Sequence, residues 1–340
     1  MHAPAGAVRA GNLAVDGRDH LRTVTPTVVP EQPRTDRCRL VVVTGKGGVG
    51  KTTVAAAFAL ALARRGRDTI AAELSGQARI PALLGHPSPG PPGEELEVAP
   101  GLWATTIDPE GALVQWAGRL VRPRPLLEVA VRSRAFSGFV AAAPGAAELI
   151  SVTRAVELTS AQRWVEESAH HDVAVLDAPA SGHGVGLLRT PGTYAEIARV
   201  GPVAGQAREV DELVRDPERC LLVTVALPEE TPVNETLELE AELQRSLGRG
   251  PSLTVMNGML DEGLSEEELG EARRRLSGGV PLAAAQSRRT LAARQASQLE
   301  RLRAGCGSPL AVLPRLEPSG SPAEGVERLS ALLEDSLAHR

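Results

Sequence analysis

The first strong hydrophobic pattern in this chain is a short run of apolar, mostly β-branched residues that starts at Leu40 and ends in glycines. A continuous apolar run of this length is typical of a strand buried on both faces of a parallel sheet. Residues 39–44 are therefore predicted to be a strand, and a helix is predicted from about Lys51 to Arg65. Further strands are predicted at 69–74, 102–107, 172–177, 220–226, 252–257 and 309–313.

Helical spacing of apolar residues between most of these strands predicts an α/β fold with a doubly wound, mostly parallel sheet. Residues 109–170 break the alternation, because their apolar residues recur at helical spacing between prolines, and we expect an inserted helical layer there. The apolar stripe within residues 126–140 is either core or a surface for a client helix. Residues 323–337 are predicted to form a last helix at the sheet edge.

One large domain, residues 37–316, is expected between two flanking segments. Residues 1–36 are rich in Ala, Gly, Pro and Arg and lack a continuous apolar segment, which favours a disordered leader over a signal peptide. Residues 317–340 would form a C-terminal tail and helix. No apolar run approaches the roughly 20 residues that cross a bilayer, so we expect a cytoplasmic protein.

Composition narrows the function classes. A formal net charge of -5 argues against nucleic acid as a partner, because phosphate neutralisation needs a basic face. Cys38, Cys220 and Cys306 lie far apart and include no C-x-x-C pair, which argues against both a zinc site and a disulfide framework. Among 37 basic residues, lysine occurs at two positions, Lys46 and Lys51, and both lie in one loop.

That loop, Gly45-Lys-Gly-Gly-Val-Gly-Lys-Thr-Thr53, matches G-x-x-x-x-G-K-S/T between a predicted strand and a predicted helix. Its glycines let backbone amides surround phosphates, and the helix N-terminus adds donors and a dipole. Lys51 would contact the β- and γ-phosphates, and the Thr52 hydroxyl would bind Mg²⁺. An ATP and magnesium site is predicted, against the alternative of a glycine-rich turn without chemistry. The other ATP-binding residues would be Gly45, Gly47, Gly48, Val49, Gly50 and Thr53.

Asp177 ends the predicted strand 172–177 and is followed by Ala178-Pro-Ala-Ser-Gly-His183. Ligands of such sheets bind at the carboxyl ends of the strands, so Asp177 would hold magnesium through water. The alternative is an aspartate that caps a helix or lies in a loop.

Lys46, at the second position of the glycine-rich loop, gives the motif a more specific form. G-K-G-G-V-G-K-T-T, together with D-x-P-x-S/T-G-H from Asp177, resembles the deviant Walker A ATPases of the ArsA type, which include arsenite-pump and tail-anchored-protein-targeting ATPases. The resemblance covers about residues 40–316. It implies that Lys46 reaches the nucleotide of a dimer partner, with a solvated side chain as the alternative. Gly182 would sense the γ-phosphate, and His183 is either a switch element or a surface residue.

The same resemblance assigns the adenine pocket to the ends of two later strands. Asn257, which ends Val255-Met-Asn257, would hydrogen-bond the adenine edge, since an amide both donates and accepts. A capping role is the alternative for Asn257. Pro314, in Leu313-Pro314, would line the base pocket.

The resemblance weakens after the second strand, in switch I, where the family carries an aspartate that orients the attacking water. This chain reads Ala72-Glu-Leu-Ser-Gly-Gln77 there. Glu73 is the candidate replacement, although Ser75 occupies another alignment of the missing aspartate. Slow or absent hydrolysis is therefore an open alternative.

Two specialised activities of the family lose support. Three methionines and no C-x-x-C do not suit a Met-rich client groove on a zinc-clasped dimer. The three cysteines all precede or begin predicted strands, opposite the nucleotide edge, and do not group as a thiolate site for arsenite would.

Two functions follow from these patterns. The first is a magnesium-dependent ATPase with Lys46, Lys51 and Glu73 as catalytic residues. It would work as a nucleotide-switched homodimer, or heterodimer with a paralogue, that couples ATP to a client protein or a membrane-transport partner. The second is a nucleotide-binding regulatory or scaffold subunit that does not hydrolyse ATP and pairs with an active paralogue. A membrane-cycling ATPase is disfavoured by the acidic residues in the last helix.

Overall fold

The computed structural model of this protein describes residues 35–74, 78–120, 145–165, 168–261, 263–275, 280–316 and 320–338. The strands are β1 (Leu40–Gly45), β2 (Thr69–Glu73), β3 (Leu96–Ala99), β4 (Leu102–Thr106), β5 (Val173–Asp177), β6 (Cys220–Ala226), β7 (Leu253–Met259) and β8 (Leu310–Pro314). The helices are α1 (Lys51–Arg64), α2 (Arg79–Leu83), α3 (Pro109–Leu120), α4 (Ala146–Glu157), α5 (Ser181–Ala198), α6 (Pro202–Arg215), α7 (Glu230–Leu247), α8 (Glu266–Arg275), α9 (Val280–Gly305) and α10 (Pro322–Ala338).

These strands form an 8-stranded sheet in the order β3-β4-β2-β5-β1-β6-β7-β8. All neighbouring pairs are parallel except β3 and β4, which are antiparallel. The predicted α/β class and the seven predicted strands are confirmed, with bounds that differ by at most two residues. β1 lies at the centre, between β5 and β6, so the loop after it opens where parallel sheets bind ligands.

Alternate residues of β1 pack on opposite faces of the sheet. Val41 and Val43 join the core under α1, whereas Leu40 and Val42 join the core formed with α4, α5, α6 and α7. Both layers are fully buried, which explains why β1 reads as an unbroken apolar run and not as an alternating one.

The last helix, α10, completes the core on the α1 face. Its buried residues Val326, Leu329 and Leu333 belong to the same cluster as α1. The helix also touches the edge strand β8, but its main contact is α1. The contact with β8 agrees with the predicted position at the sheet edge, and the apolar stripe of α10 also covers the Ala-rich surface of α1.

Part of the predicted helical insertion is helical in the structure. Within residues 109–170, α3 and α4 pack on each other, and α4 also packs on α5. The apolar stripe within residues 126–140 lies outside the described residues, as do residues 1–34 of the predicted leader. No helix in the described part of the chain is both long and apolar enough to span a bilayer.

A network of buried charges ties α4 to the sheet. Arg154 pairs with Glu157 and Glu95, and Arg163 pairs with the same two carboxylates. His171 Nε2 lies 3.1 Å from Glu95 Oε2. Burial opposes the ionised form of Glu95, but the His171 hydrogen bond and the charges of Arg163 and Arg154 keep its pKa below the usual value. Removing one partner of such a buried pair costs about 3–5 kcal/mol, so the network fixes this layer in place.

Candidate nucleotide-binding site

The glycine-rich loop connects β1 to α1 in a conformation that favours glycine at three positions, Gly45, Gly48 and Gly50. Gly45 has φ 150°, and a Cβ there would lie 2.5 Å from the Val225 carbonyl oxygen of the neighbouring strand. Gly50 has φ 88° and forms the N-cap of α1. A Cβ at Gly47 or Gly48 would meet nothing within 4 Å, so this part of the loop faces open space. The loop thus presents a helix N-terminus and glycines that face open space, an arrangement that suits phosphate groups.

Lys51 begins α1 and points back along the loop. Its Nζ donates a hydrogen bond to the Lys46 carbonyl oxygen at 2.9 Å. Burial lowers the pKa of Lys51, and the charge of Asp177 opposes that shift. The ammonium group is therefore held inside the loop, near a carboxylate, where a phosphate would supply a further anionic partner.

Thr52 and Asp177 meet across the site. The Thr52 hydroxyl donates to Asp177 Oδ2 at 2.6 Å, whereas the buried Asp177 Oδ1 has no hydrogen-bond partner among the described residues. Burial raises the pKa of Asp177 to about 6, and the nearby charge of Glu73 acts in the same direction. A buried carboxylate oxygen without a donor is costly, and a divalent cation would satisfy it. The donor set of Thr52 and Asp177 fits magnesium, and their predicted role as magnesium ligands stays a prediction.

Glu73, the predicted replacement for the switch I aspartate, has a capping contact that the sequence did not predict. Its Oε1 accepts the backbone N–H of Arg79 and its Oε2 accepts that of Ile80, both at 2.9 Å. The side chain is 1% exposed, and burial raises its pKa. With both oxygens bound to main-chain amides, Glu73 caps the start of α2, and its predicted role in orienting water stays a prediction. The other candidate for that role, Ser75, lies outside the described residues.

Lys46 forms an ion pair within the chain. Its Nζ lies 3.3 Å from Glu235 Oε1 on α7, and the two side chains are 40% and 29% exposed. The pair lies at the mouth of the loop and not deep in the protein. The expected reach of Lys46 to a partner's nucleotide stays a prediction, and it requires this pair to open.

Asn257 contacts the phosphate loop from β7. Its Nδ2 donates to the Val49 carbonyl oxygen at 2.9 Å, and a Cβ at Gly50 would lie 2.4 Å from that nitrogen. The amide therefore fixes the loop, which leaves Oδ1 as its acceptor for a ligand. Pro314 ends β8, the neighbour of β7, at the same edge of the sheet. The predicted adenine contacts of Asn257 and Pro314 stay predictions.

The segment after Asp177 leads directly into α5. Gly182 lies in the first turn of that helix, and His183 is exposed. Both thus lie at the carboxyl edge of β5 beside the loop, and their predicted switch roles stay predictions. Thr53 lies in the first turn of α1.

Two polar residues at this edge were not predicted from the sequence. Thr44 is 0% exposed, and its hydroxyl has no hydrogen-bond partner among the described residues. A Cβ at Gly184 of α5 would lie 2.5 Å from that hydroxyl, so α5 crosses very close to the end of β1. Arg79 begins α2 and is exposed, and its charge opposes the rise in the pKa of both Glu73 and Asp177. Arg79 could have been singled out from the sequence, because it is a basic residue soon after a switch I segment that lacks the family's aspartate.

The fold and this loop define a P-loop nucleotide-binding protein. The model of the ArsA_ATPase family, described as anion-transporting ATPase, matches residues 38–203. ATPase BagA of Mycobacterium tuberculosis is 31% identical over 249 residues, which cover 69% of each chain. This protein belongs to the ArsA family of ATPases.

More distant relatives are considerably longer proteins. A putative arsenical pump-driving ATPase of Halobacterium salinarum is 27% identical over 263 residues, which are 74% of this chain and 40% of that protein. An arsenical pump-driving ATPase of Escherichia coli is 26% identical over 231 residues, which are 64% of this chain and 39% of that protein. This chain thus matches about two fifths of each pump-driving protein.

Proposed function

We propose that this protein is a magnesium-dependent ATPase that works as a nucleotide-switched dimer and couples ATP to a protein or transport partner. Membership of the ArsA family supports ATP binding and ATPase activity in general. The observation that carries the magnesium assignment is the contact between Thr52 and Asp177 next to the phosphate loop, with Asp177 Oδ1 left without a donor.

Each residue of the site would then have a defined task. The amides of the loop and Lys51 would bind the β- and γ-phosphates, and Lys51 would exchange its contact with the Lys46 carbonyl for a phosphate oxygen. Thr52 and Asp177 would hold Mg²⁺, which neutralises charge on the phosphates. Asn257, already bound to the loop, would add its Oδ1 on the adenine side.

Dimerisation would depend on Lys46. In this chain Glu235 holds Lys46 at 3.3 Å, in a partly exposed pair. ATP at the partner's loop offers a stronger anion for the same lysine, so nucleotide binding would favour the exchange and the closed dimer.

A transport or client partner is proposed on the strength of the relatives, among which are arsenical pump-driving ATPases. Arsenite itself is not favoured as a ligand. Cys38 and Cys220 are buried beside the amino-terminal ends of β1 and β6, and burial raises the pKa of both thiols. Protonated thiols at the edge opposite the phosphate loop are poor arsenite ligands.

A second function, a non-hydrolysing regulatory subunit, is favoured by one observation. Glu73 caps α2 with both carboxylate oxygens, so the residue expected to orient water in switch I is engaged by the main chain. Positioning supplies much of phosphoryl-transfer catalysis, and turnover without this group would be slow. A paralogous partner would then contribute the missing carboxylate.

The magnesium site is tested by Asp177→Asn, with Asp172→Asn at the opposite, amino-terminal end of the same strand as a control. We expect Mg²⁺-dependent ATP turnover in the wild type and in Asp172→Asn, and a loss of at least about a hundredfold in Asp177→Asn. Thermal stabilisation by Mg²⁺ with ADP should disappear in the same variant. Equal turnover in all three proteins would refute the assignment of Asp177.

A further inference from the structure

Arg79 is an exposed cation at the edge of the phosphate site. It is the first residue of α2, which begins soon after β2 ends. Its backbone N–H donates to Glu73, while its guanidinium group forms no hydrogen bond or ion pair within the described part of the chain. The main chain of Arg79 is thus fixed, and its side chain remains available to a ligand.

The capping contact fixes the backbone of Arg79 on Glu73, one strand away from the proposed magnesium ligand Asp177. Glu73 and Asp177 pair in register on the neighbouring strands β2 and β5. Paired residues of parallel strands point to the same face of a sheet, here the face on which Asp177 meets Thr52 of α1. Burial raises the pKa of both carboxyls, and the positive charge of Arg79 opposes this rise at each of them. Its charge is therefore within electrostatic reach of the site.

The backbone just before Arg79 is strained. Ala78 has φ 41° and ψ 57°, the left-handed conformation that residues with a Cβ avoid at a cost of about 1–2 kcal/mol. Such strain persists only where the surrounding structure enforces it, and it concentrates at functional sites. At this position the strained turn lets the N–H groups of Arg79 and Ile80 both reach Glu73.

Within the described part of the chain, both lysines of the phosphate loop already have a contact of their own. Lys51 would bind the β- and γ-phosphates, and Lys46 is paired with Glu235 within the chain. Charge on the equatorial oxygens of the γ-phosphoryl group spreads in the transition state, and a guanidinium group binds two such oxygens at once. Arg79 has the chemistry for this task.

We propose that Arg79 is a catalytic arginine supplied within the same chain, which binds the γ-phosphate of ATP and stabilises the transition state of hydrolysis. This proposal rests on the proposed ATPase function. In the reaction, a water oxygen bonds to the γ-phosphorus as the bond to the β–γ bridging oxygen breaks. ADP and inorganic phosphate form, and a proton of the water passes to phosphate. Arg79 donates hydrogen bonds to the γ-oxygens and takes part in no bond change.

The test compares Arg79→Ala, Arg79→Gln and Arg79→Lys with a control, Arg65→Ala, at the C-terminal end of α1. We expect kcat to fall at least about a hundredfold in the Ala and Gln variants and less in Arg79→Lys, with ADP affinity unchanged within about twofold. Arg65→Ala should match the wild type. An unchanged kcat in Arg79→Ala or Arg79→Gln would overturn the proposal.

A second measurement tests the role of Arg79 separately from the proposed ATPase function, in case the wild type does not hydrolyse ATP. Aluminium fluoride bound next to ADP mimics the phosphoryl group during transfer, and binding of this complex does not require hydrolysis. We expect Arg79→Gln to weaken binding of ADP with aluminium fluoride at least about tenfold relative to ADP alone. An equal loss for both ligands, or no loss for either, would show that Arg79 has only an electrostatic role beside Glu73 and Asp177.

Discussion

Lys46 Nζ lies 3.3 Å from Glu235 Oε1, so the lysine expected to serve a partner subunit is bound to a carboxylate of its own chain. The two side chains are 40% and 29% exposed, and such a pair contributes about 0–1 kcal/mol. A contact this weak can open when a nucleotide phosphate competes for the lysine. In the proposed dimer, Glu235 would therefore act as a modest restraint on the contact between Lys46 and the partner.

The Glu235 restraint predicts the effect of Glu235→Gln. Without the carboxylate charge, Lys46 is free to reach a partner, and the ATP-dependent dimer should tighten about two- to fivefold. Sedimentation velocity with Mg²⁺ and ATP measures the change, with Glu238→Gln, one turn further along α7, as the control. A weaker dimer in Glu235→Gln would mean that Glu235 contributes to the interface itself.

Because the phosphate loop lies close to β6, we predict that alanine substitution is destabilising at Gly45 and tolerated at Gly47. Gly45→Ala would place a Cβ 2.5 Å from the Val225 carbonyl oxygen, and we expect it to lower the free energy of unfolding by about 1–3 kcal/mol. Gly47→Ala meets no atom within 4 Å and should change it by less than about 0.5 kcal/mol. Urea unfolding without nucleotide compares the two. Equal stabilities would contradict the observed loop geometry.

The capping role of Glu73 predicts a loss of stability in the absence of ATP. Glu73→Ala leaves the buried N–H of Ile80 and that of Arg79 without their acceptor, which should cost about 2 kcal/mol, and Glu73→Gln, which keeps one acceptor, about 1 kcal/mol. Glu97→Ala, on the exposed side of β3, is the control. If Glu73 served only to orient water, unfolding of the nucleotide-free protein would not change.

The cysteines are predicted to differ in reactivity. Burial raises the pKa of Cys38 to about 11 and that of Cys220 to about 12, whereas Cys306 is only partly buried. A raised pKa means that the folded state favours the protonated thiol. The contribution of Cys38 and Cys220 to the free energy of unfolding is therefore complete below pH 9 and is lost as the pH rises toward 11. At pH 8, iodoacetamide should modify Cys306 first, and Cys38 and Cys220 only after unfolding. Mass spectrometry of the labelled native protein measures the order of modification. Labelling of Cys38 before or together with Cys306 would contradict the prediction.

The sequence predicted the central strands because their two buried faces leave an unbroken apolar run, as in β1 and β6. It did not predict β3, whose four residues Leu96–Ala99 are only half-buried or exposed and form a short antiparallel edge. The run is too short to be told from a loop by periodicity.

Within the site, the sequence predicted the local motifs but not the contacts between residues that are far apart in the chain. The loop Gly45–Thr53 and Asp177 could be recognised from the spacing of residue types along the chain. In the structure, Thr52 and Asp177 lie in contact. The pairing of Lys46 with Glu235 joins residues far apart in the chain, and the capping role of Glu73 depends on how the chain turns at Ala78. Neither is encoded in a local pattern of residue types.

The central claim is that this chain hydrolyses ATP at the loop that contains Lys51. The most direct test is release of inorganic phosphate from ATP and Mg²⁺ by the wild type and by Lys51→Ala. We expect turnover in the wild type, and a fall of at least about a hundredfold in Lys51→Ala, because that variant lacks the ammonium group at the β- and γ-phosphates. A wild type that binds ATP and dimerises but releases no phosphate would contradict the claim and identify a regulatory subunit instead.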